Sequence, residues 1–289
     1  MKRLPEYLKR PIIDTEKTKK VRYILKEKHL NTVCESARCP NKNECYQQNT
    51  ATFLIMGNIC TRNCKYCNIL TAKPEPLDID EPEHIAEAVK ELGLSYSVIT
   101  SVTRDDLIDG GAEHFVNCIK KIRDLSPNTK IEILTPDFKS KKSRDKFNKD
   151  SLDKIIKSHP DVFNHNIEAV KRIHQDVRPL GNYDLSLSVL KYIKENSDIK
   201  TKSGLMIGLG ETIEDILETF KDLKNCGCDI LTVGQYIQPS KKHYEVQKYY
   251  TLEDYEFLKE KAKEYGFEKY QIGPLVRSSY HAKLLSDTN

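Results

Sequence analysis

The sequence predicts an α/β protein whose core is a partial (β/α)6 barrel of the TIM type, with N-terminal and C-terminal extensions over the barrel mouth. Three observations carry this expectation. Short β-branched runs bounded by turn residues alternate with helix-period segments from residue 51 onward. Such alternation implies right-handed βαβ units and a parallel sheet. Polar segments follow almost every strand at its C-terminal end: NICTRNC, TRDD, PDF, NIE, GLGE and QPS. Barrel active sites are built from such loops, all at one mouth. A doubly wound sheet is the competing architecture, and it would concentrate polar residues at a single switch point instead.

Taken in order, the strands are read at 51–57, 95–102, 129–135, 161–167, 201–208 and 229–236, with one more in EKYQIG. Helix-period segments lie near 81–92, 112–125, 150–157, 168–195 (broken around Pro179–Gly181) and 212–225. Asp80 before Pro82 marks a helix start. A last helix over 251–265 opens on Thr251 with Asp254 three residues on, and stops at Gly266. Residues 1–50 read as polar, irregular and cysteine-bearing. The expected division is therefore an N-terminal extension (1–50), a barrel core (51–240) and a C-terminal extension (241–289). There is no internal repeat and no low-complexity tract.

Composition narrows the function classes. The 289 residues are 38% hydrophobic and 31% charged, which describes a folded globular chain rather than a disordered one. No stretch approaches the roughly 20 apolar residues that cross a bilayer. MKRLPEYLKRPI has no apolar signal region, so a cytoplasmic protein without membrane partners is expected. Net charge is only +4, with 47 basic and 43 acidic residues interleaved, so nothing asks for nucleic acid. The densest basic run, Lys139, Lys141, Lys142, Arg144, Lys146 and Lys149, reads as a solvated loop or helix face, with a docking patch for an acidic partner as the alternative.

The informative residues are the nine cysteines. Without a secretion signal they should not be disulfide-bonded. Cys60-x3-Cys64-x2-Cys67 lies in the loop after the first strand. Three thiolates on one tight loop can bind three irons of a [4Fe–4S] cube and leave the fourth open. Zinc is the alternative, but it usually takes four ligands in Cys-x2–4-Cys pairs, and no second pair stands at that spacing. A second set, Cys34-x4-Cys39-x5-Cys45, again supplies three ligands. A second [4Fe–4S] cluster is preferred there over a zinc knuckle.

The C-x3-C-x2-C spacing behind a strand, with Tyr66 before the last cysteine, resembles the signature of radical S-adenosylmethionine enzymes. The two motifs in this order resemble the lipoyl synthase family. The likeness continues through TSVTRDDLIDGGA, VFNHNIE, TKSGLMIGLGET, GCDILTVGQYIQP and GPLVRSSYHA, and covers roughly residues 30–285. The chain departs from the family pattern at Asn58 and Thr103, where an acidic residue is usual, and in a longer KSKKSRDKFNKD segment.

The resemblance implies two cofactor clusters with different jobs. The cluster on Cys60, Cys64 and Cys67 would reduce S-adenosylmethionine held on its open iron, giving methionine and a 5′-deoxyadenosyl radical. The auxiliary cluster on Cys34, Cys39 and Cys45 would donate two sulfur atoms to C6 and C8 of an octanoyl chain on a carrier lysine. Ser279, the second serine of RSSY, is implied as its fourth ligand. Implied partners are an octanoylated lipoyl carrier domain or H protein, a flavodoxin- or ferredoxin-type reductant, and iron–sulfur assembly or carrier proteins. Asn164, Asn166 and Glu168 in NHNIE, and Arg178 in VRP, are implied contacts to S-adenosylmethionine, with a strand-cap network as the alternative for the first three.

Other polar positions are read with two possibilities each. Arg104, Asp105 and Asp106 are a ligand contact or a salt-bridged loop. Gln235 and Gln238 are ligand donors or structural amides. Gly208 to Glu211 offers either an anion-favouring turn or an ordinary helix entry. Cys118, Cys226 and Cys228 are expected to be packing residues.

Overall fold

The computed structural model describes residues 3–11, 15–140 and 143–286. Its contacts gather into two units. The first comprises Arg10–Arg62 and Ile69–Phe163, and the second comprises Met1–Lys9, Asn63–Asn68 and Asn164–Asn289.

In the first unit, β1 (Thr52–Ile55), β2 (Tyr96–Ser101) and β3 (Lys130–Leu134) run parallel. Thr52 stands opposite Val98, and Tyr96 opposite Lys130. Helices α1 (Glu81–Leu92), α2 (Ala112–Leu125) and α3 (Lys149–Ser158) follow the three strands. Each buries a stripe at helical spacing, as Phe115, Cys118, Ile119 and Ile122 do on α2. Pro82 occupies the first turn of α1, and Gly93, at φ 64°, ends it in the left-handed conformation. Cys118 is fully buried in its stripe, as expected of a packing residue. The next strand, β4, is Val162–Asn164.

In the second unit, β5 (Lys200–Ile207), β6 (Ile230–Gln235) and β7 (Lys269–Gly273) are again parallel. A short helix, Lys171–Val177, precedes α4 (Tyr183–Asn196), so the expected break at Pro179–Gly181 is present. Then come α5 (Ile213–Asn225) and α6 (Leu252–Glu264). Both begin with reciprocal capping boxes, Thr212 with Asp215 and Thr251 with Asp254. Among the described residues all six expected core strands form, each within its predicted span or one residue of it. No helix among them is long and apolar enough to cross a membrane.

The structure corrects two expectations. The described residues of 1–50 are not irregular. Helix Glu16–Glu27 is fixed by a capping box between Thr15 and Thr18 and buries Val21, Ile24 and Leu25. Short helices Val33–Ser36 and Lys42–Gln47 follow, and Asn31–Thr32 pairs antiparallel with β1. Within the basic run, Lys139, Arg144 and Lys146 lie in an antiparallel hairpin of Lys139–Ser140 with Ser143–Phe147 rather than in a loop, Lys149 opens α3, and Lys141 and Lys142 lie outside the described residues. After β7 the chain is anchored by apolar side chains, with Leu275, Val276 and Ala282 buried.

Candidate iron–sulfur and cofactor site

The first cysteine of the tight loop is held by the ends of two strands. Ile59–Cys60 pairs in parallel with Leu70–Thr71, which pins the loop at both ends. Thr61 donates its backbone N–H and its hydroxyl to the carbonyl of Thr103, at 3.0 and 2.9 Å. Cys60 Sγ in turn accepts from the backbone N–H of Arg62 at 3.4 Å and of Thr103 at 3.3 Å. Two amide donors are aimed at one sulfur, and such bonds are what tune cluster sulfurs.

Arg62, which sequence reasoning missed, locks this arrangement. Its guanidinium is 1% exposed and makes paired bonds to two carboxylates, Asp105 at 2.7 Å on both oxygens and Asp137 at 2.6 and 2.8 Å. Asp105 follows β2 and Asp137 follows β3, so one side chain ties the loops after three successive strands. Burial opposes the charge on Arg62, but the bonds to Asp105 and Asp137 outweigh it and its pKa rises. Asp137 is itself completely buried. Removing the cation strands a buried carboxylate, a change that costs about 3–5 kcal/mol. We expect Arg62→Ala to lower the urea unfolding midpoint accordingly, with Arg62→Lys intermediate because Lys lacks the planar fork. An unchanged midpoint for Arg62→Ala would contradict this role.

The second cysteine set is gathered within the first unit. Cys39 donates its backbone N–H to the carbonyl of Cys34 at 3.2 Å, and Cys45 is carried by helix Lys42–Gln47. Burial pushes the Cys34 thiol up to about 12, and a charge on Cys39 adds to the rise; a bond from the Thr52 backbone works against it. Burial raises Cys45 as well, followed by the charges of Cys34 and Cys39. Cys34 and Cys45, thiols that burial keeps protonated, need a cation beside them before they can act as thiolates, which suits a cluster. Among the described residues, no three His, Cys, Asp or Glu side chains converge on a point able to hold a single metal ion. A cubane asks for no such point, since each thiolate takes its own iron.

Cys64 and Cys67 belong to the second unit, where the segment 63–68 is clasped from several directions. Lys65 donates its backbone N–H to the carbonyl of Val177 at 2.9 Å and accepts from Tyr244 at 2.8 Å. His243 Nε2 lies 3.0 Å from the carbonyl of Cys67, and Ser240 Oγ lies 2.9 Å from His243 Nδ1. Tyr66, between the two cysteines, is hydrogen-bonded to Glu168.

Three of the four implied contacts to S-adenosylmethionine come together beside Tyr66. Glu168 bridges Leu205 of β5 and holds a left-handed φ of 69°, which turns its side chain out of the strand direction. Asn166 Nδ2 donates to Glu168 Oε1 at 3.1 Å. Arg178 is 7% exposed and donates to the carbonyl of Asn166 at 3.5 Å. Burial raises the Glu168 carboxyl, with Arg178 and the bonds from Asn166 and Tyr66 opposing the rise. Asn164 is fully buried at the end of β4. Ser279 is half-buried in a turn closed by Tyr280, whose N–H donates to Arg277 at 2.9 Å.

Several alternatives are settled as structure. Asp105 is spent on Arg62, and Arg104 is paired with Asp106 at 2.8 Å. Gln235 is fully buried, donating to the carbonyls of Ile207 and Lys248 and accepting from Tyr250. The turn at Gly208 is filled by its own carboxylate, because Glu211 accepts from the N–H of Gly208 and of Leu209. Cys226 and Cys228 are buried, with their thiols on the carbonyls of Leu223 and Ile230.

Residues 54–223 match the Radical SAM superfamily. A lipoyl synthase of Alkaliphilus metalliredigens is 47% identical over 98% of this chain and 95% of its own length. Another, of Caldicellulosiruptor saccharolyticus, is 49% identical over 96% of each. Among solved structures, Streptococcus suis SuiB bound to S-adenosylmethionine superposes with a TM-score of 0.56 at 16% identity, over 77% of this chain and 50% of that one. That likeness bears on the fold alone, and with the parallel strands it places this chain in the partial barrel class rather than among doubly wound sheets.

Proposed function

The chain belongs to the lipoyl synthase family of radical S-adenosylmethionine enzymes, and from that premise we propose that it inserts two sulfur atoms, at C6 and C8, into an octanoyl chain carried on a protein lysine. The observation that carries this reading is the presence of two separate three-cysteine sets, one with its first sulfur held by two backbone amides and one gathered on two short helices with Cys39 N–H on the carbonyl of Cys34.

The first set, Cys60, Cys64 and Cys67, would hold a [4Fe–4S] cluster with an open iron; bound there, it would supply the electron that cleaves S-adenosylmethionine to methionine and a 5′-deoxyadenosyl radical. Glu168, Asn166 and Arg178, with Asn164, would orient the amino and carboxylate groups of the cofactor. A carboxylate suits an ammonium, and the planar guanidinium suits a carboxylate. The auxiliary set, Cys34, Cys39 and Cys45, with Ser279 as an oxygen ligand, would hold the cluster that gives up sulfur. Oxygen is a harder ligand than thiolate, so the serine-bound iron would be the easiest to lose. In this division, the N-terminal extension (1–50) and the tail (241–289) serve to carry the auxiliary ligands.

The substrate class is an octanoylated lipoyl carrier, either a carrier domain or an H protein. A flavodoxin or ferredoxin would supply electrons, and assembly or carrier proteins would rebuild the clusters. A reducing cytoplasm is the compartment in which nine cysteines stay as thiols and can serve as cluster ligands. The test is anaerobic incubation of the reconstituted, reduced protein with S-adenosylmethionine and an octanoyl-lysyl peptide. We expect 5′-deoxyadenosine and a peptide that has gained two sulfurs and lost two hydrogens. An electron carrier would make no deoxyadenosine. A sulfur-inserting enzyme of another substrate class would leave the octanoyl peptide unchanged.

A further inference from the structure

We propose that Ser278 is a positioning residue that couples the S-adenosylmethionine site to the seating of Ser279, through a hydrogen-bonded chain running Ser278–Asn166–Glu168–Tyr66. The proposal rests on the assignment of Glu168 and Asn166 to the cofactor and of Ser279 to the auxiliary cluster.

The chain is continuous and its donors converge on the Glu168 carboxylate, from Ser278 and Asn166 on one side and from Tyr66 on the other. Ser278 Oγ donates to Asn166 Oδ1 at 2.8 Å, across 112 positions of sequence. Asn166 Nδ2 donates to Glu168 Oε1 at 3.1 Å. Tyr66, between Cys64 and Cys67, bonds to the same carboxylate. A carboxylate drawing on the amide N–H makes the amide oxygen a stronger acceptor, so each bond strengthens the next. Ser278 and Ser279 are the two central residues of the turn closed by Tyr280 N–H on Arg277. Fixing the first therefore restricts the second.

Space for the link is provided by a missing side chain. Gly204 lies on β5 beneath the bond, and a Cβ there would stand 2.4 Å from Ser278 Oγ and 2.7 Å from Asn166 Oδ1. Both distances are too short for real contacts, so a glycine at this position is what lets the serine and the amide meet. A ligand ammonium on Glu168 would compete for the charge that holds Asn166 and Ser278. Occupancy at one end should then alter the energy of the turn at the other, and the effect must be reciprocal.

The experiment is an affinity cycle by anaerobic equilibrium dialysis of S-adenosylmethionine. It compares the fully loaded protein with Cys34, Cys39 and Cys45 all replaced by alanine, each with and without Ser278→Ala. With Ser278 present, loss of the auxiliary cluster should change the Kd about fivefold, at the low end of ordinary coupling between sites. With Ser278→Ala that ratio should collapse to about one, and Gly204→Ala should act likewise. Ser278→Thr, which keeps the hydroxyl, should restore it. The same ratio with and without Ser278, or a ratio of one in its presence, overturns the coupling. If the unmodified protein makes no 5′-deoxyadenosine, it is the functional assignment that fails instead.

Discussion

Replacing Cys60, Cys64 and Cys67 together by alanine should abolish 5′-deoxyadenosine formation and remove about half of the roughly eight irons expected for two cubane clusters. The effect should be close to complete because an unactivated C–H bond offers no handle to acids or bases, leaving nothing in the protein to substitute for radical chemistry. Chromatographic quantification of deoxyadenosine, with iron analysis on the same samples, checks both halves. The auxiliary set should keep its cluster, because its helices and its pairing with β1 lie outside the mutated loop. Deoxyadenosine at the unmodified level would overturn the assignment of the first set.

Replacing Cys34, Cys39 and Cys45 should give the complementary result. Iron again falls by about half. Deoxyadenosine continues to form, while sulfur insertion into an octanoyl-lysyl peptide falls to zero. The asymmetry follows from the proposed roles: one set would supply the radical and the other the atom that the substrate radical captures. Truncating Cys34 also leaves a small cavity in a buried position, so some loss of thermal stability is expected. Equal loss of deoxyadenosine in both triple variants, with folding intact by circular dichroism, would contradict the division of labour.

The barrel strands were legible because each is a short apolar run punctuated by turn residues, and each helix declares a cap or a stripe. Helix Glu16–Glu27 was not. Its lysine-rich text hides a stripe of only Val21, Ile24 and Leu25, and its capping box uses Thr18 where a glutamate or glutamine is the usual signal. The two cysteine sets were legible from spacing, since three cysteines close together in sequence leave a local pattern. Arg62 was not, because its partners lie 43 and 75 positions away and an isolated arginine in CTRNC announces neither. The same reason hid Ser278. Its meaning comes from an amide 112 positions earlier, and from a glycine on β5 that only the folded chain brings beneath them. The ambiguous TRDD loop is taken up by ion pairs, Arg104 with Asp106 and Asp105 with Arg62, and the GLGE turn by its own Glu211, which local sequence cannot distinguish from a ligand site because both use the same polar residues.

The central claim is that sulfur comes from this chain's own auxiliary cluster. The most direct measurement is a single-turnover reaction with protein reconstituted using a heavy isotope of sulfide, then freed of loose sulfide. Mass analysis of the octanoyl-lysyl peptide product should find two heavy sulfur atoms, with no more than one lipoyl group per chain. Product carrying light sulfur, or several lipoyl groups per chain without cluster repair, would contradict the account.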